Sequence, residues 1–130
     1  MPKLDHIALE VSDIDEAIRF YSKKLGFALV SKAVNEEQQE AYCFLSSGET
    51  TLELICDLKK TYGGAKQAER PYCPHICFKT DDMEKTIREL RTKNIDIIKG
   101  PLEIPGEETW VYFADPDGNV LEYIQWYKES

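Results

Sequence analysis

Apolar residues alternate with others from Leu4 to Val11, so that Ile7, Leu9 and Val11 share one face of a predicted strand and His6, Ala8 and Glu10 the other. The period then lengthens. Ile14, Ala17, Ile18, Tyr21 and Leu25 fall on one stripe of a helix that Asp13 caps, that runs through Lys24 and that Gly26 ends. Three strands are predicted next, Phe27 to Val34, Ala41 to Leu45 and Thr51 to Cys56, separated by the polar turns "NEEQQE" and "SSGET". The same order returns in the second half. A strand from His75 to Lys79 leads to a helix capped near Asp81 and running to about Lys93, then to strands at Ile95 to Ile98, Thr109 to Phe113 and Val120 to Trp126. Between the last two, "DPDGN" is a hairpin turn by its Pro, Gly, Asp and Asn content. The pattern predicts an α+β fold of two βαβββ modules in tandem, 1–58 and 72–130. The Gly- and Pro-containing stretch "KKTYGGAKQAERPYCP" marks the linker, placed at 59–71.

The two halves also share residues. Displaced by 69 positions the sequence aligns with itself without a gap, with 12 identities in 61 overlapped positions. Chance would give roughly a third of that. The alignment places His6 on His75, Asp13 on Asp82, Phe44 on Phe113, Glu53 on Glu122 and Lys59 on Lys128. The repeat is too long for a solenoid unit and reads as duplication of a small module. The chain has only these two histidines, each at the head of an apolar run. Glu53 lies within "TLELI" and Glu122 within "VLEYI", and a carboxylate amid strand apolars is costly to bury unless it is paired or binds a cation. Taken singly, each is a polar residue at a strand start or on a solvent-facing edge. Together, at one spacing in both halves, they point to metal ligation. His2Glu2 is a borderline donor set that suits divalent Ni, Co, Zn, Mn or Fe, whereas a structural zinc more often takes a closed, thiolate-rich site.

Composition narrows the function classes. At 130 residues the chain can bury a core as one domain. A net charge of -8 disfavours nucleic acid and anionic membranes, both of which select a basic footprint. No apolar run approaches the roughly 18 residues of a membrane span, and the N-terminal segment has no secretory pattern. A cytoplasmic location is expected. Cys43, Cys56, Cys73 and Cys77 form no C-x-x-C pair and read as reduced core fillers, with Cys77 on the face of His75. Tyr42, Tyr112, Trp110 and Trp126 read as core or sheet-surface aromatics that could also line a pocket.

"LDHIALEVSDIDEAIRFYSKKLGF" and "VYFADPDGNVLEYIQ" resemble the opening and closing segments of the vicinal oxygen chelate superfamily, the group of glyoxalase I, extradiol dioxygenases and the bleomycin and fosfomycin resistance proteins. The resemblance covers nearly the whole chain. It implies one domain of paired βαβββ modules with a curved mixed sheet and helices outside. It also implies a divalent metal that holds two adjacent oxygens of a substrate. The order His6, Glu53, His75, Glu122 is similar to that of the bacterial, nickel-activated type of glyoxalase I. The implied activity is a lyase or isomerase reaction on an α-hydroxy carbonyl adduct such as a hemithioacetal, through an enediolate. Glu122 would be the base and Glu53 a second carboxylate able to serve on the opposite face. The resemblance implies a homodimer as well. Methylmalonyl-CoA epimerase is a similar relative, usually with glutamine at the second position, and a bleomycin-resistance-like binding protein is a rival of another class. The chain departs from the glutathione-using pattern at Glu10, where an arginine is usual, and at Asp57, often an asparagine. Both acidic residues would repel an anionic thiol.

Overall fold

In the computed structural model, which describes residues 1–127, the chain divides into two compact units, Met1–Gly64 and a second beginning at Ala65. The end of the second predicted module, 128–130, and with it Lys128 of the repeat, lies outside the described residues.

The first unit contains β1 (Ile7–Glu10), α1 (Ile14–Ile18), β2 (Ala28–Asn35), β3 (Glu40–Ser46) and β4 (Thr51–Asp57). Its sheet has the order β1-β4-β3-β2. β1 runs parallel to β4 and the other pairings are antiparallel. Asp13 caps α1 as its sequence suggests, the carboxylate accepting from the Glu16 backbone N–H at 3.0 Å. Beyond Ile18 the helix widens to a π-helical segment, Arg19–Lys24. A π turn advances each residue by less than an α turn, so the buried stripe is Ile14, Ala17, Phe20 and Tyr21, while Ile18 and Leu25 are only half-buried. Gly26 closes the helix at φ +85, a conformation that favours glycine.

The second unit repeats the order with β5 (His75–Lys79), α2 (Met83–Thr92), β6 (Ile97–Ile104), β7 (Glu108–Ala114) and β8 (Val120–Trp126), its sheet running β5-β8-β7-β6. Each unit is thus a βαβββ module with a four-stranded mixed sheet, in agreement with the predicted fold class. The cap of α2 is Asp82 rather than Asp81, its carboxylate accepting from the Lys85 backbone N–H at 3.0 Å. Met83, Thr86, Ile87 and Leu90 form its buried face. β6 extends well past the expected end at Ile98. Gly100 and Pro101 form a bulge between Lys99 and Leu102, and an edge strand tolerates a proline that a central strand would not.

In each sheet one face is packed and the other carries the polar residues. Cys43, Leu45, Leu52 and Leu54 form a dry layer on the packed face of the first, where α1 lies against β3 and β4. Val111, Phe113 and Leu121 do so in the second, where α2 lies against β8. Two of the four cysteines do not fill the core. Cys43 and Cys56 are buried, but Cys73 and Cys77 are exposed, Cys77 because it occupies the polar face of β5. No helix among the described residues is long and apolar enough to cross a membrane.

The gapless repeat needs one correction. In the first unit Phe44 stands opposite Glu53, whereas in the second Tyr112, not Phe113, stands opposite Glu122. The turn between β7 and β8 is one residue longer than that between β3 and β4. Because side chains alternate faces along a strand, a single-residue offset exchanges core for surface. Phe113 is accordingly fully buried and stacks on Tyr123, with ring centroids 5.2 Å apart.

Candidate metal-binding site

β1 and β4 are parallel neighbours in which Ala8 pairs with Glu53, so His6, two residues earlier, lies on the same face as the carboxylate. The imidazole Nε2 is 3.2 Å from Glu53 Oε1. Its Nδ1 is 2.7 Å from Asp5 Oδ2, and Phe44 meets the ring edge-on at 5.5 Å. The hydrogen bond to Asp5 is the largest influence on His6 and, with the nearby Glu53 charge, raises its pKa above the ordinary histidine value.

The second unit repeats this arrangement. Cys77 pairs with Glu122, and His75 Nε2 lies 2.9 Å from Glu122 Oε1. His75 Nδ1 is 2.9 Å from the Tyr72 carbonyl, and Tyr112 meets the ring edge-on at 5.6 Å. Tyr72 packs against Tyr112 in turn. Glu122 is only 7% exposed, which makes it a carboxylate drawn from water and held against one imidazole. Although Cys77 is exposed as a residue, its thiol is pushed up to about 12, first by the loss of water around the group and then by the Glu122 charge, so it stays protonated.

Each unit therefore presents one histidine and one glutamate, the four residues singled out in the sequence. Among the described residues no three His, Cys, Asp or Glu side chains are grouped so that they could hold a metal ion. Within each pair the donors fit one. Nδ1 is occupied by an oxygen that fixes the ring, and Nε2 faces a carboxylate oxygen. Two such acceptors around one imidazole need a proton at each nitrogen, or a proton at Nδ1 and a cation at Nε2.

Further along the polar face of the first sheet, a cavity of about 350 Å³ is floored by Ala8 and Ile55 and rimmed by Glu10, Glu40, Asp57 and Lys60. Glu10 is tied down here, its Oε2 accepting from Lys60 Nζ at 2.9 Å and from the Tyr62 hydroxyl at 2.7 Å. That hydroxyl also accepts from the Asp57 backbone N–H at 3.0 Å. Burial, and then the bond to Glu10, push the Tyr62 pKa up to about 12. Lys60 and Tyr62 lie in the predicted linker and were not singled out by the sequence. Of the aromatics, Tyr42 and Tyr112 lie on the polar faces with Phe44 and Glu122, as does Trp110, while Trp126 is 47% exposed.

Comparison with known proteins agrees with this architecture. The chain is 29% identical over 121 residues to a probable lactoylglutathione lyase of Vibrio cholerae, covering 92% of this chain and 88% of that protein. It is 27% identical over 124 residues to the lactoylglutathione lyase of Escherichia coli, covering 95% and 92%. Its fold is similar to that of a glyoxalase family protein from Enterococcus faecalis, with a TM-score of 0.77 at 24% identity over 94% of this chain and 96% of that one. Residues 3–123 match the Glyoxalase/Bleomycin resistance protein/Dioxygenase superfamily, and the chain belongs to that family.

Proposed function

We propose that the protein is a divalent-metal-dependent lyase or isomerase of the glyoxalase I type, acting on an α-hydroxy carbonyl adduct such as the hemithioacetal of a 2-oxoaldehyde. The observation that carries this reading is the recurrence, at one place on both sheets, of a histidine whose Nδ1 is fixed and whose Nε2 faces a glutamate. The similarity to lactoylglutathione lyases supports the same reaction class. His6, Glu53, His75 and Glu122 would together hold one divalent cation per site, nickel foremost, with zinc, cobalt, manganese or iron as alternatives. A complete site would take one His–Glu pair from each copy in a homodimer. When bound, the cation would supply Lewis-acid stabilisation to two adjacent oxygens of the substrate.

Proton transfer falls to the chain. Glu122 removes the proton from the hydroxyl-bearing carbon and returns it to the neighbouring one. Its place beside His75, on the polar face of β8 and 7% exposed, supports this role. Glu53 lies in the equivalent place and can act on the opposite face. The cavity further along the first sheet carries Glu10, Glu40 and Asp57 against one cation, Lys60, and this acidic excess favours a neutral or cationic thiol over glutathione. The free cysteines suit a reducing, cytoplasmic location.

The test is isomerisation of methylglyoxal with a panel of thiols and metals, followed by ultraviolet absorbance of the thioester product, with methylmalonyl-CoA assayed alongside. Turnover with at least one thiol is expected. Metal binding without thioester formation would favour epimerisation if methylmalonyl-CoA is turned over, and sequestration of a small molecule if it is not.

A further inference from the structure

The two histidines are oriented by different chemistry. His75 Nδ1 donates to a main-chain carbonyl, that of Tyr72, which sits at φ +64 and whose N–H is bonded to the Glu69 carbonyl at 2.7 Å. The turn thus sets that acceptor, and Tyr72 and Tyr112 wall the ring. Among the described residues His6 has no such backbone acceptor. Its Nδ1 donates to the Asp5 carboxylate, a side chain that is itself 94% exposed. The duplication did not supply this contact, since the repeat places Pro74 opposite Asp5.

We infer that Asp5 is a positioning residue that holds the His6 imidazole with its proton on Nδ1 and Nε2 free to bind a cation, so that the two His–Glu pairs are inequivalent. The inference rests on the metal-ligand reading above. The physical argument is local. Asp5 at 2.7 Å and Glu53 at 3.2 Å compete for the ring proton from opposite edges. With Asp5 present, the proton belongs on Nδ1. With Asp5 removed, the neutral ring places it on Nε2, where it donates to Glu53 and blocks the donor atom. A carboxylate acceptor also pushes electron density into the ring, which strengthens Nε2 as a ligand more than a neutral carbonyl does. The first pair is thereby the stronger donor but depends on one exposed side chain, whereas main chain presets the second.

The test compares the full-length parent, Asp5→Asn, Asp5→Ala and His6→Ala, each dialysed free of metal and titrated calorimetrically with nickel chloride. Asp5→Ala is expected to weaken nickel binding by about 10- to 100-fold, the usual span for loss of such an outer partner. Asp5→Asn should fall between, because its amide oxygen still accepts from Nδ1 without the charge. Nitrogen-15 spectra of the metal-free proteins, at a pH where both rings are neutral, give a readout that a general loss of stability would not produce. The His6 proton should move from Nδ1 to Nε2 in Asp5→Ala while the His75 tautomer stays fixed as the internal control. Nickel binding at parental strength in Asp5→Ala, with binding lost in His6→Ala, overturns the positioning role and leaves the metal reading standing. Parental binding in His6→Ala as well overturns both.

Discussion

Glu122 sits at the meeting point of three side chains, His75 at 2.9 Å, its ladder partner Cys77 and its ladder partner Tyr112. Glu122→Gln keeps the volume and one oxygen donor but cannot accept a proton from carbon. Metal binding is expected to survive, weakened, while turnover falls by about two to four powers of ten, as read in the thioester assay. Full activity in the variant would move the base to another residue. Tyr62 offers a pH test. Its folded pKa, about 12, stands above the ordinary value of 10.0. The group therefore adds stability that is complete below pH 10 and is lost as pH climbs towards 12, where the folded form also ionises. Burial also raises Tyr112 and Tyr123, so ultraviolet titration of tyrosinate should show several late-ionising tyrosines, one fewer in Tyr62→Phe.

At the scale of elements, the turn between β7 and β8 has the most specific chemistry outside the candidate site. Asp115, 5% exposed, accepts from the Asp117 and Asn119 backbone N–H groups and from the Asn119 side-chain amide. Gly118 at φ +79 leaves room for Lys66, whose carbonyl a Cβ there would meet at 2.1 Å. Lys66 Nζ in turn donates to Asn119 Oδ1 at 2.6 Å. Gly118→Ala would have to displace that backbone and accept a left-handed conformation as well, and is expected to lower stability by about 1–3 kcal/mol, measured by urea unfolding. Asp13, the cap of α1, was legible in the sequence, because an N-cap involves residues three apart, whereas the adjacent pair Asp81 and Asp82 left the cap of α2 one residue early. The π-helical stretch after Ile18 was not, since a stripe at the α period is the only pattern that apolar spacing expresses.

For the whole molecule, one chain contributes two His–Glu pairs and no larger ligand group among the described residues. If complete sites form between copies, two chains make two sites by symmetry. Sedimentation at micromolar concentration should give about twice the 15.0 kDa of the chain, with one divalent cation bound per copy. A monomer that binds the cation with all four residues would place the site within one chain.

The sequence alone determined the order of elements, the fold class, the cap of the first helix and the repetition of His and Glu. These features rest on periodicity and on neighbours a few residues apart, or on identities that duplication preserved at one spacing. It left the partner of each histidine unread. His6 meets Glu53 because β1 lies parallel to β4, a pairing of residues more than forty positions apart that packing alone selects. The extra residue in the β7–β8 turn replaced Phe113 by Tyr112 on the site face, and no alignment of the halves without a gap could express that. Glu10 read, with Asp57, as an acidic departure until the fold brought Lys60 and Tyr62 onto it. The acceptor of His75 is a backbone carbonyl, which every residue carries and no side-chain pattern distinguishes. Only tertiary structure decides which carbonyl arrives there, because the direction of a main-chain oxygen follows from the path of the turn.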